Sequence, residues 1–80
     1  MNKQRRQELS DVLDYLDDAV DRLEEIRDDE QDAFDELPDG LQNSKTGDSM
    51  LDAVDKLNEF CDEINAVKDK VTSMMLNKKG

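Results

Sequence analysis

Asp11, Asp14, Asp18, Asp21, Glu25, Asp28, Asp32 and Asp35 alternate three and four residues apart, so on a helix all eight carboxylates share one face. Carboxylates so arrayed can hold cations, move protons or imitate phosphate charge. Partners for the first two kinds of chemistry are missing. The chain has no histidine, which removes nucleophilic triads, Glu-x-x-His di-iron sites and His-based zinc sites. The acid-rich run DDEQDAFDELPDG lacks the central Gly and terminal Glu spacing of an EF-hand loop. No glycine-rich phosphate loop occurs. Cys61, the single cysteine, sits beside a core position and reads as packing rather than as a nucleophile. The residues point to a non-enzymatic chain that needs no metal or cofactor.

The elements that would carry this stripe follow from apolar spacing. With Leu9 at position a of a heptad, the a series is Leu9, Leu16, Leu23, Glu30, Leu37; d is Val12, Ala19, Ile26, Ala33; and e is Leu13, Val20, Arg27, Phe34. With Met50 at a, the second half repeats the scheme: a is Met50, Leu57, Ile64, Val71; d is Ala53, Phe60, Val67, Met74; and e is Val54, Cys61, Lys68, Met75. Three apolar positions in seven make a stripe wider than a simple two-helix seam. The expected fold is all-α: an antiparallel two-helix coiled-coil hairpin that dimerises into a four-helix bundle. The expected core is Leu9, Val12, Leu16, Leu23, Ile26, Phe34, Leu37, Leu57, Phe60, Ile64, Val67 and Val71. Glu30 and Arg27 interrupt it, as a register-setting polar pair or as a wet layer near the bundle end.

The expected organisation is a basic arm over 1–7, an acidic amphipathic helix over 8–37, a linker over 38–49, a second helix over 50–76 and a basic tail over 77–80. The linker holds the only proline and two of the three glycines. Pro38 pushes Leu37 away from helical geometry and ends the first helix. Ser44, Thr46, Asp48 and Ser49 are candidate N-caps for the second. Leu41 is expected to fold over the end of the core.

Charge sets the functional classes. The 80 residues carry 22 acids against 11 basic residues, a net of −11. Residues 8–37 alone hold 14 acids against two arginines. Like charges at i, i+3 and i+4 repel by tenths of a kcal/mol each, so the stripe costs stability. It reads as a solvated back face, as a nucleic-acid mimic spanning about 36 Å, or as a dock for a basic protein. The few cations predict no direct nucleic-acid contact, and an anionic membrane would repel the polar face. The first nine residues, MNKQRRQEL, are charged and contain no apolar leader segment. No apolar run approaches the roughly 20 residues of a membrane span. A lone thiol suits a reducing cytoplasm.

The segment AFDELPDGLQNSKTGDSM resembles small acidic helical proteins encoded by phages and prophages of Gram-positive bacteria. The shared pattern falls on Ala33, Phe34, Asp35, Leu37, Pro38, Leu41, Gln42, Ser44, Gly47 and Met50, and on Asn2, Lys3, Arg5 and Arg6. It departs at Lys45 and Thr46, where that type tends to have Glu-Arg. The resemblance implies an accessory phage protein working in the bacterial cytoplasm, and no shared activity.

The expected function is to bind and block a host protein with a basic surface, such as a defence or DNA-handling factor, through the acidic stripe. The alternative is an assembly module acting through the apolar face. A homodimer is expected in either case.

Overall fold

The computed structural model describes residues 1–76. It has three helices and no strand among those residues: α1 Lys3–Asp35, the single turn α2 Asp39–Gln42, and α3 Lys45–Leu76. α1 and α3 pack side by side and antiparallel in a rod of 58 × 18 × 12 Å. The all-helical hairpin expected from the heptads is present. The expected basic tail, 77–80, lies outside the described residues.

Both long helices begin about five residues earlier than expected, because the caps lie earlier. Asn2, extended at φ −81° and ψ 172°, accepts a 2.8 Å hydrogen bond from the Arg5 amide. One of the orphan donors of the first turn is thereby satisfied. The basic arm is consequently the first turn of α1. At the other end, Ser44 is the residue that caps α3. Its hydroxyl accepts from the Gly47 amide at 3.4 Å and donates to the Leu41 carbonyl. Helix α3 therefore starts at Lys45 rather than Met50.

The expected 12-residue linker is correspondingly short. Pro38 follows the C-cap region of α1, and its carbonyl receives the amides of Leu41 and Gln42 at 2.8 and 3.2 Å. The Gln42 side-chain amide donates back to the Phe34 carbonyl at 3.3 Å, tying α2 to the end of α1. Gly47 is buried where α3 passes under this turn. A Cβ there would stand 2.2 Å from the Gln42 carbonyl oxygen and 2.8 Å from that of Leu41. Both obstacles are backbone, so only glycine fits. Leu41 does not cover the core end; its side chain stays exposed.

The seam corrects the expected core. The best-buried side chains are Val20, Val54 and Cys61, all at e positions and at most 7% exposed. The a residues Leu9, Leu16, Leu23, Leu37, Leu57, Ile64 and Val71, with Phe34 at e, are part-buried beside them. By contrast the d residues Val12, Ile26, Phe60 and Val67, expected in the core, are 41–53% exposed, as is Met74. Two helices can share only a two-position seam. This hairpin closes on a and e, and it leaves the large d side chains outside, with Ala19, Ala33 and Ala53 part-buried at its edge.

Candidate functional site

The rod has four longitudinal strips, each dictated by heptad position. The outermost is the acidic one. All eight residues of the predicted stripe (c and f of α1) are exposed and lie opposite the seam. Among the described residues only Asp28 in this set forms an ion pair, with Arg27 at 3.0 Å. Asp11 and Asp35 accept side-chain amide bonds from Gln7 and Gln31 at 3.4 and 3.1 Å. Helix α3 extends the strip with Asp52, Asp55, Glu59, Asp62 and Asp69, again all exposed. Lys56 pairs with Asp52 at 3.0 Å along the helix. The stripe also reaches the C-terminal turn of α1, which has no basic residue to complement the helix dipole.

One flank of the seam is polar. It carries the b residues Ser10, Asp17, Glu24 and Gln31 of α1 and Leu51, Asn58, Asn65 and Thr72 of α3. The two cations at seam positions turn towards it. Arg27 donates to the Asn58 side-chain oxygen at 3.0 Å, and Lys68 pairs with Asp17. Their long stems stay in the seam while the charged ends reach water. The hydrogen bond to Asp28 pushes the Arg27 guanidinium above its usual range, so it remains charged. Glu30, expected as its partner, makes no ion pair among the described residues.

Those two cross-helix contacts also define the register. Moving ten residues forward on α1, from 17 to 27, moves ten residues back on α3, from 68 to 58. In that register Val12 lies within one residue of level with Met74, as do Ala19 with Val67, Ile26 with Phe60 and Ala33 with Ala53. These d residues occupy the flank opposite the polar one. Val12 and Met74 line one hollow of about 400 Å3 at the open end of the hairpin, together with Met1, Arg5, Glu8 and Leu9.

The result is a purer apolar strip outside the seam than within it. From Val12 to Ala33 and from Ala53 to Met74 all eight d positions are apolar and uncharged; beyond that span d is Arg5 in the first turn of α1 and Thr46 in the first turn of α3. The seam, by comparison, accommodates Glu30, Arg27 and Lys68. Tyr15, at g, is 71% exposed and borders this strip beside Val12 and Ala19. The sequence pattern registered d as apolar but could not say which two of three apolar positions the hairpin would close on.

Among the described residues no cluster of three or more His, Cys, Asp or Glu side chains is placed to hold a metal ion. No described helix is long and apolar enough to cross a membrane. Comparison with protein-family models, curated proteins and solved structures returns no match.

Proposed function

We propose that the chain is a non-catalytic binding protein whose acidic strip occupies a basic surface of another protein, with no metal or cofactor. A cleft built to hold nucleic-acid phosphates has the matching charge and shape. A defence or DNA-handling factor in the cytoplasm of a bacterial host is the class of target that fits. The observation that carries this reading is the uninterrupted, outward-facing run from Asp11 to Asp35 on one continuous helix, almost free of neutralising partners. Fixed carboxylates on a stiff rod raise local attraction for a basic partner and speed encounter with it.

The test uses the intact protein as bait in bacterial lysate at low and physiological ionic strength. A second bait carries Asp14, Asp18, Asp21, Glu25 and Asp28 replaced by Asn or Gln. A basic, nucleic-acid-handling protein retained by the native chain, shed by salt and ignored by the neutralised variant supports the reading. Equal retention by both baits overturns it.

The exposed d strip favours a second reading: an assembly module that works as a homodimeric four-helix bundle. The two readings use different surfaces of the rod. Phe60→Asp should abolish assembly and leave stripe-dependent capture intact if both hold.

A further inference from the structure

We infer that the d strip is the contact face of a homodimer in which two hairpins lie with their α2 turns at the same end. The inference rests on the assembly reading and specifies its geometry.

Three observations favour a second copy as the occupant. First, the strip is continuous from Val12 and Met74 at the open end to Ala33 and Ala53 near the turn, and it merges with the hollow beside Leu9. Second, between Val12 and Ala33 and between Ala53 and Met74 it has no charged member, whereas the intramolecular seam over the same span has three; Arg5 stands at its open end. A chain with 41% charged residues has kept its cleanest apolar face where its own helices do not cover it. Third, the g positions bordering the strip differ from the rest of the rod. On α1 they are Glu8, Tyr15, Arg22 and Asp29; on α3 they are Ser49, Lys56, Glu63 and Lys70. The acids thus dominate the outer strip, while the rim of the apolar strip carries mixed signs.

The rim signs select an orientation. The cross-helix register puts Tyr15 level with Lys70, Arg22 with Glu63, and Asp29 with Lys56. Stack two apolar faces about a two-fold axis parallel to the rod. Each α1 then lies over the partner copy's α3 at the same level. Arg22 meets Glu63 and Asp29 meets Lys56 across the interface, twice each by symmetry. Arg22 and Glu63 make no ion pair within the hairpin among the described residues. With the hairpins pointing in opposite directions, Arg22 would instead face Arg22 and Glu63 would face Glu63. Like charges so placed oppose association. In the same-end arrangement Ile26 and Phe60 of both copies form one bulky layer, with small Ala33 and Ala53 layers on the turn side.

Sedimentation and light scattering of the full chain test this across a concentration series. Tyr15 emission is a second readout, since it is the only tyrosine and no tryptophan is present. The native chain should dimerise. Phe60→Asp should be monomeric with unchanged helicity, because Phe60 is exposed in the hairpin; Val67→Lys should do the same if Phe60→Asp unfolds. Arg22→Glu and Glu63→Arg should each weaken dimerisation by about tenfold or more. An equimolar mixture of these two variants should restore it, since each then supplies the charge the other lost. A native dimer lost with Phe60→Asp but insensitive to both single charge reversals overturns the same-end geometry and leaves the assembly reading standing. A native chain that stays monomeric throughout overturns the homodimer itself. In that case, loss of a lysate partner on Phe60→Asp would show that the assembly reading survives with a different occupant.

Discussion

At the scale of single residues, Gly47 is the position with the least freedom. Its hydrogen atom occupies space that a methyl group would share with the Gln42 and Leu41 carbonyls. Gly40, one turn earlier, has nothing within 4 Å of where a Cβ would go. Gly47→Ala should therefore lower stability by about 1–3 kcal/mol, the range for mutations that force local strain. Gly40→Ala should stay within about 0.5 kcal/mol of the native chain. Thermal unfolding followed by circular dichroism compares the two directly, and equal behaviour would contradict the steric account. The glycine itself is visible in the sequence, as one of the two in the expected linker. Its reason is a contact between segments, which spacing along one chain does not report. Ser44 was similarly visible as one of four possible caps. Choosing it requires knowing that Leu41 turns its carbonyl back towards that hydroxyl.

At the scale of elements, helix identity was legible because apolar periodicity is a property of each segment alone. Ends were less legible. Asn2 and Ser44 are short polar residues of the capping class, yet nothing apolar follows them closely enough to mark a helix start. The exposed acidic stripe was readable in full, since a face opposite any apolar seam is solvent-exposed whichever seam forms. Choice of seam was not readable, because positions a, d and e are all mainly apolar and a two-helix seam can use only two of them. Closure on a and e places Arg27 and Lys68 where leucine would pack. Each cation spans to an exposed partner, so its removal strands no buried charge. Arg27→Leu and Lys68→Leu should then each raise the unfolding free energy by up to about 1 kcal/mol from added apolar burial, read as a higher urea midpoint. A drop in either midpoint would mean that the polar contact outweighs packing there.

At the scale of the whole molecule, electrostatics makes salt a two-way probe. Within one hairpin, and between two copies each bearing −11, repulsion dominates. Screening should raise the midpoint of thermal unfolding between about 10 and 150 mM salt, as the Debye length contracts from about 30 to 8 Å. The same change should loosen any complex held by the acidic strip to a basic protein. A midpoint indifferent to salt would show that neighbouring carboxylates on the rod scarcely sense one another. Overall shape was legible in outline from two equal amphipathic segments, and function was not, because charge spacing describes a surface without describing what meets it.

The hollow shared by Met1 and Met74 carries a further consequence. The described chain enters and leaves the rod at one end, so its two ends are neighbours. The hairpin is therefore portable: spliced into a surface loop of an unrelated carrier, it would stand out as a stalk of up to 58 Å without prying the carrier open. Its acidic strip could then be displayed at chosen spacing, one or many per carrier.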